Sequence, residues 1–222
     1  MHNTNAIPAR LREQYLRSLL LGDKRDCAAI VQRLLDDGMP VRTLYVDLFQ
    51  DALYSVGALW ERNQISVATE HLATSVTLSL FQLVYPRVFS IPRIGRTALV
   101  ACATDEHHHI GARMVSDVCE LHGWDCHFTG SNTPVDDLCR MVVEKRPEFL
   151  GISLTLFANV GNLLQLIRSV RHEMPSLPIV VGGQAFRDGG LDILEDFSAV
   201  TYYGSLDEFE AFLDPTYRYP AA

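Results

Sequence analysis

The spacing of apolar residues changes near residue 90, and this change limits the folds open to the chain. Before it, apolar residues recur every three or four positions, as in Val41, Leu44, Leu48 and Ala52, which is the spacing of one helix face. After it, short and almost wholly apolar runs alternate with helical segments, a pattern typical of parallel strands covered on both faces. An all-helical or all-β fold for the whole chain is therefore excluded.

The first half, residues 1–90, predicts four antiparallel helices. Gly22 and Gly38 interrupt the helical pattern and separate the first three helices, of which the third is expected as one α-helix over residues 41–59. Ser66 is expected to cap the fourth helix because its hydroxyl can accept a hydrogen bond from the first helical turn. With such short connections, the four helices predict a small bundle.

The second half, residues 91–222, predicts a five-stranded parallel sheet of the flavodoxin or Rossmann type. In such sheets, ligands bind at the carboxyl ends of the strands where the strand order switches, so the loop over residues 104–111 becomes a candidate site. The expected strands are residues 97–103, 126–129, 149–154, 179–181 and 200–203, and the expected helices are residues 110–122, 135–145, 160–173 and a shorter one near 191–196.

Composition excludes several classes of function. The formal net charge of -8 and the lack of a Lys/Arg stripe exclude a direct nucleic-acid binder. The N-terminal residues carry neither a basic nor an apolar export signal, so a cytoplasmic protein without a membrane span is expected. The five cysteines form no C-x-x-C pair, which favours buried, reduced thiols over disulfides or zinc ligation.

Three adjacent histidines follow the first predicted strand. Glu106 stands two residues before the central one, His108, and Gly111 follows three residues after it. An imidazole can coordinate a transition metal through one nitrogen while a carboxylate accepts a hydrogen bond from the other, and glycine lets a bulky ligand approach the helix start. Taken alone, the histidine triplet also fits a solvated loop or a divalent-metal site.

This loop resembles the D-x-H-x-x-G loop of cobalamin-binding domains, with Glu106 in place of the aspartate, followed by His108 and Gly111. The register one residue earlier, Asp105-x-His107, would put isoleucine where glycine is needed. The resemblance implies that the benzimidazole of cobalamin leaves cobalt, that His108 replaces it as the lower axial ligand, and that Glu106 supports the imidazole. The glutamate makes the carboxylate arm one methylene longer than in the resembling loops.

Two further elements of that family follow in order on the later strands. Ser153 and Thr155, at the end of the third predicted strand, resemble its S-x-L or S-x-T segment. Gly182 and Gly183, after the fourth, resemble its glycine pair. The resemblance covers essentially the whole second half, and it implies that these residues line the channel for the dimethylbenzimidazole tail.

The helical half carries a separate motif. Trp60 is followed ten residues later by Glu70 and His71, and this arrangement resembles the helical cap of cobalamin-dependent photoreceptors of the CarH repressor type. The resemblance implies a cap over the corrin ring, with the tryptophan beside the upper axial group and the Glu-His pair in the same pocket. Some of those photoreceptors have a histidine directly after the tryptophan, where this chain has Glu61.

The sequence therefore predicts a cobalamin-binding sensor that is not an enzyme and that responds to light through the upper cobalt–carbon bond. The expected cofactor is adenosylcobalamin, with methyl- or hydroxocobalamin as other forms. The chain begins almost at the bundle, whereas the resembling repressors have a DNA-binding domain before it. Any effect on transcription would thus act through a protein partner such as a regulator, and a homo-oligomer is plausible.

Two alternatives remain open from the sequence. The same two-domain layout fits a corrinoid methyl carrier that serves a separate methyltransferase. It also fits a haem sensor on the same scaffold, because histidine can ligate either metal.

Overall fold

The computed structural model describes residues 6–214, which divide into two compact units. The first unit ends at Ser90 and the second begins at Ile91. Within the described residues, no helix is both long and apolar enough to cross a bilayer. All five cysteines are free thiols and four of them are buried, as the sequence predicts.

The first unit is helical. Its core is built on aromatic rings: Tyr45 and Phe49 both pack on Phe81, with ring centroids 5.2 and 5.8 Å away. Ser66 caps the last helix as predicted, because its Oγ accepts the N–H of Thr69 at 3.2 Å. The helices are α1 (Ala9–Leu20), α2 (Lys24–Asp36), α3 (Val41–Leu44), α4 (Asp51–Glu61) and α5 (Val67–Val88).

The third predicted helix is not α-helical throughout, and here the prediction of one regular helix is wrong. A π-helix, Tyr45–Gln50, lies between α3 and α4. Its residues Tyr45, Leu48 and Phe49 are buried, so the apolar face continues through it. The spacing of apolar residues reports which face is buried, but over so short a segment it does not distinguish i→i+4 from i→i+5 hydrogen bonding.

The second unit contains a five-stranded sheet in the order β2-β1-β3-β4-β5, and every neighbouring pair is parallel, which confirms the predicted fold class. The strands are β1 (Thr97–Cys102), β2 (Asp125–Phe128), β3 (Phe149–Ser153), β4 (Ile179–Gly182) and β5 (Val200–Tyr202). The helices between and after them are α6 (Ile110–Leu121), α7 (Val135–Lys145), α8 (Val160–Glu173) and α9 (Leu206–Leu213).

Helices cover both faces of this sheet. On β1, Leu99 and Ala101 belong to the large core that α7 and α8 complete, whereas Val100 and Cys102 pack with Ala112 of α6 on the opposite face. Strands β1 and β3 are neighbours in the sheet. From this pair, β2 lies on the outer side of β1, whereas β4 and β5 follow on the outer side of β3. The carboxyl ends of β1 and β3 are therefore the switch point of the sheet, where ligands bind in folds of this class.

The last part of the second unit differs from the sequence-based expectation. The helix expected near residues 191–196 is a 3₁₀ turn, Leu191–Leu194, whereas helix α9 was not anticipated. Gly190 enters the 3₁₀ turn with φ +85°, a left-handed conformation that interrupts the helical backbone directly before Leu191. Phe209 anchors the acidic helix α9 by packing edge-on against Phe149 of β3, a contact that sequence spacing does not reveal.

The segment that joins the two units is anchored to the second one. The guanidinium of Arg93 binds the carboxylate of Glu120 near the end of α6, and the other oxygen of Glu120 accepts the N–H of Cys126 at 3.0 Å. The N–H of Ile94 donates to the carbonyl of Gly123 at 2.8 Å. The Glu120 side chain is 11% exposed and the Arg93 side chain 38% exposed, so the carboxylate is the buried partner of this ion pair.

Glu120→Ala is expected to lower the free energy of unfolding by about 1–2 kcal/mol, because it leaves the Cys126 N–H without its acceptor and removes the carboxylate partner of Arg93, which keeps only its backbone carbonyl acceptors. Glu148→Ala is the matched control: Glu148 pairs with Arg96 on the surface, with both side chains 45% exposed, and should cost less than about 1 kcal/mol. Urea unfolding followed by circular dichroism measures both. Equal losses would contradict the structural role of Glu120.

Candidate functional site

The candidate site lies at the switch point of the sheet, where the loops after β1 and β3 run side by side. The two strands end in register, with Cys102 opposite Ser153, and the N–H of Ala103 donates to the carbonyl of Ser153 at 3.0 Å. Beyond this point the first loop carries the three histidines and the second carries Thr155. The fold thus brings the sequence-predicted residues of β1 and β3 together.

Glu106 joins the two loops. Its Oε1 accepts hydrogen bonds from His108 Nδ1 at 2.5 Å and from the His108 N–H at 2.9 Å. Its Oε2 accepts the N–H groups of Thr155 and Leu156, both at 2.9 Å. The glutamate arm, longer than the aspartate of the resembling loops, therefore keeps the imidazole contact while its second oxygen contacts the loop after β3.

The charge of Glu106 determines which nitrogen of His108 can face a metal. Burial by itself would raise the pKa of Glu106, but hydrogen bonds from His108 and from three backbone N–H groups lower that pKa to about 2. The carboxylate is thus ionised at neutral pH and can only accept, so Nδ1 of His108 carries the proton. With the Nδ1 proton directed at Glu106, a neutral His108 imidazole would present its lone pair at Nε2, and half of the His108 side chain is exposed.

The turn that separates Glu106 from β1 has an unusual backbone. Asp105 adopts φ +62°, in the left-handed region. Two asparagines at the start of α8 contact this turn: Asn162 Nδ2 donates to the carbonyl of Thr104 at 3.0 Å and to Asp105 Oδ2 at 3.2 Å, and Asn159 Nδ2 donates to the carbonyl of Asp105 at 3.3 Å. Sequence reasoning missed both asparagines, because they lie more than fifty positions from the turn.

The predicted glycines occupy different environments. Gly183 has φ +104°, and a Cβ there would lie 2.2 Å from the carbonyl oxygen of Leu154, so the fold itself requires this glycine. At Gly182 the nearest atom to an added Cβ is 3.7 Å away, an ordinary contact. At Gly111, nothing among the described residues comes within 4 Å of an added Cβ. An added Cβ would therefore fit at both Gly111 and Gly182, but only Gly111 faces open space among the described residues.

The surroundings of the loops contain apolar and polar groups that the sequence did not single out. Leu156 and Phe157, directly after Thr155, are each 47% exposed, which is high for large apolar side chains. The hydroxyls of Thr104 and Thr129, which follow β1 and β2, are buried and make no hydrogen bond within residues 6–214. This edge of the sheet thus combines exposed apolar side chains with two buried hydroxyls that have no hydrogen-bond partner within residues 6–214.

The helical unit holds the other three predicted residues. His71 Nδ1 contacts Glu70 Oε2 at 2.5 Å, and Thr74 Oγ1 donates to Glu70 Oε1 at 3.0 Å, so the pair is fixed on the first turns of α5. Trp60, near the end of α4, is 46% exposed. Val67 and Leu72, which flank the pair in sequence, are 50% and 45% exposed. These exposed apolar side chains are typical of a surface that binds an apolar ligand or partner.

The donor set distinguishes two kinds of metal site. Across the part of the chain that the structure describes, no three His, Cys, Asp or Glu side chains are placed to hold an ion together. The histidine triplet is thus not a chelating cluster within those residues. One imidazole oriented by a carboxylate instead fits a metal whose remaining ligands come with a macrocycle.

Comparisons with known proteins identify the family of both halves of the chain. Residues 96–212 match a family model described as a B12 binding domain, and residues 11–85 match a second model with the same description. The HTH-type transcriptional repressors CarA and CarH of Myxococcus xanthus are 28% and 26% identical to the chain, over 81% and 79% of its length. The chain spans 60% and 58% of the length of these relatives.

A solved structure extends the comparison to the fold. The monomethylamine corrinoid protein of Methanosarcina barkeri superimposes with a TM-score of 0.79, covering 93% of this chain and 99% of that one. The two sequences are only 14% identical, so this likeness concerns the fold alone.

Gly183→Ala is expected to destabilise the cofactor-free protein by about 2–4 kcal/mol, because the new methyl group would collide with the Leu154 backbone and φ is strained for alanine. Gly182→Ala is the matched control on the adjacent residue and should cost less than about 1 kcal/mol. Urea unfolding compares the two variants. Equal losses of stability in the two variants would contradict the conclusion that the close approach of the Leu154 backbone requires glycine at position 183.

Proposed function

The chain belongs to the B12 binding domain family, and from this premise we propose that it is a cobalamin-responsive sensor in which His108 is the lower axial ligand to cobalt. The observation that carries the ligand assignment is the 2.5 Å contact between Glu106 Oε1 and His108 Nδ1. This contact fixes the ring orientation and leaves Nε2 as the coordinating atom. The alternative ligand His107 lacks this support, because Asp105 is engaged by Asn162.

The residues around His108 fit a corrinoid. The space at Gly111 would let the macrocycle approach the start of α6, and the exposed side chains of Leu156 and Phe157 would cover apolar parts of the ring. We propose that Ser153, Thr155, Gly182 and Gly183 line the channel for the benzimidazole tail. Of the two glycines, Gly183 is also needed by the fold, whereas Gly182 is not.

The helical unit would supply the upper face of the site. Bound adenosylcobalamin would supply a cobalt–carbon bond that visible light can break. Trp60 would give a rigid apolar wall beside the adenosyl group, and the fixed Glu70–His71 pair would give hydrogen-bonding groups. The similarity to CarA and CarH, which are named as transcriptional repressors, supports a sensory role over an enzymatic one.

The output of the sensor is proposed to be a protein contact. The net charge of -8 disfavours direct binding to nucleic acid, so a partner protein such as a transcription regulator is the expected target. Self-association is the other expected response, because the exposed apolar side chains of the helical unit would be available to a second copy whenever the cofactor does not cover them.

A corrinoid methyl carrier is the second candidate. The fold similarity to the monomethylamine corrinoid protein favours it, and such a carrier would use the same lower ligand. The two functions differ at the upper face. A carrier predicts a methyl group on cobalt that a separate methyltransferase can remove, whereas stable and exclusive binding of adenosylcobalamin would count against it. A haem sensor is separated from both by its visible spectrum.

The proposal is tested by adding adenosylcobalamin to the purified protein in the dark, recording its visible spectrum, and repeating the measurement after brief green light. We expect a bound-cobalamin spectrum that changes on illumination, together with a shift in size-exclusion volume. Binding without a light response would favour the carrier or a cofactor-level sensor, and absence of binding would refute the proposal.

Trp60→Ala, measured in the same experiment, is expected to keep the lower-face spectrum and to alter dark stability or the light response, since it removes the apolar wall. Phe89→Ala is a matched control, because Phe89 is another exposed aromatic residue of the helical unit, at 61% exposure. An unaltered light response in Trp60→Ala would leave Trp60 a packing residue only.

His108→Ala is expected to weaken cobalamin affinity by more than about tenfold, because coordination to cobalt is lost, and to shift the dark spectrum to a benzimidazole-bound or unligated form. His107→Ala, one position earlier on the same exposed loop, should change neither. Titration followed by visible absorption measures both variants. A parent-like spectrum and affinity in His108→Ala would remove His108 from the ligand role.

A further inference from the structure

We propose that Asn162, assisted by Asn159, is a positioning residue that sets the His108 loop in its ligand-presenting conformation before the cofactor arrives. This inference rests on the proposed function, because it assigns Asn162 to the support of the cobalt ligand. Both asparagines contact the turn at Asp105. Their effect would be exerted through the turn at Asp105.

The turn at Asp105 decides where the following side chains lie. Glu106 is fully buried and faces the loop after β3, whereas His108, two residues on, is half exposed. The chain achieves this reversal directly after β1 with Asp105 at φ +62°. Aspartate tolerates the left-handed region better than most residues, but it does not prefer that region, so the conformation needs support from its neighbours.

Asn162 provides that support at two points. Its amide nitrogen carries two hydrogens, so it can donate two hydrogen bonds. One goes to the backbone carbonyl of Thr104, directly before the turn, and the other goes to the side-chain carboxylate of Asp105. Asn159 donates to the carbonyl of Asp105, which leaves the turn. Asn162 of α8 and Asn159, which directly precedes α8, therefore hold three groups of the turn. These are the Thr104 carbonyl, the Asp105 carbonyl and the Asp105 carboxylate.

The asparagines and the Glu106 contacts belong to the same arrangement. Both sets of donors come from the segment after β3. The backbone N–H groups of Thr155 and Leu156 donate to Glu106. A few residues later, the side-chain amides of Asn159 and Asn162 donate to the turn. Glu106 thereby fixes the ring of His108, and Asn162 fixes the backbone from which Glu106 and His108 project. A loop held in this way would bind cobalamin without first paying an ordering cost, which strengthens affinity.

A merely structural role for Asn162 predicts something different. If the Asn162 amide only packs α8 against the sheet, its loss would speed amide hydrogen exchange throughout the second unit. A positioning role instead predicts faster exchange only in the loop that carries His108. Amide hydrogen exchange of the cofactor-free protein separates the two, because local and global opening have separate rates. The His108 N–H is a direct reporter, since it is hydrogen-bonded to Glu106.

The experiment compares the parent with Asn162→Ala, the conservative variant Asp105→Asn, and the control Gln165→Ala, which alters an exposed amide on the same helix. Asn162→Ala should speed exchange at His108 by about five- to tenfold, leave amides of β3 such as Leu150 unchanged, and weaken cobalamin affinity by about the same factor. Asp105→Asn keeps an acceptor for Asn162 and tolerates positive φ, so it should stay within about twofold of the parent.

Unchanged exchange at His108 in Asn162→Ala would overturn the proposal, and so would equal acceleration of the β3 amides. A parent that binds no cobalamin would refute the proposed function and, with it, the assignment of Asn162 to ligand support. The exchange data would still report in that case whether Asn162 holds the turn, so the two failures can be told apart.

Discussion

The site depends on one interaction, the burial of the Glu106 carboxylate between two loops. An ionised carboxylate without partners would be very costly in this position. Here each oxygen accepts two hydrogen bonds, and the donors come from both sides of the switch point. The same carboxylate therefore joins the loops after β1 and β3 and fixes the orientation of the His108 ring. Structure and ligand chemistry share one group.

The division of the chain into a helical and a parallel α/β half could be predicted from the sequence, because apolar periodicity records which faces are buried. The pairing of Glu106 with His108 could be predicted from the resemblance of the loop to the D-x-H-x-x-G pattern, whereas the role of His108 as a metal ligand stays a prediction. The observed contact between Glu106 and His108 agrees with that pattern. What spacing recorded correctly in each case was local along the chain.

The features that spacing did not reveal are contacts between residues far apart in sequence. The backbone donors to Glu106 lie about fifty positions away, as do the asparagines that hold Asp105. Gly183 was predicted from its resemblance to a channel residue, but the approach of the Leu154 backbone gives it a second reason to be glycine. The π-helix at Tyr45–Gln50 was hidden because its apolar face matches that of an α-helix.

Helix α6 has a mechanical consequence that its burial alone does not suggest. It begins at Ile110, two residues after His108, and near its other end Glu120 holds Arg93 of the segment that joins the two units. A helix of twelve residues is about 18 Å long and stiff over that length. It cannot absorb a displacement at one end by bending. The helix therefore connects the histidine loop to the first residues of the second unit through one stiff element.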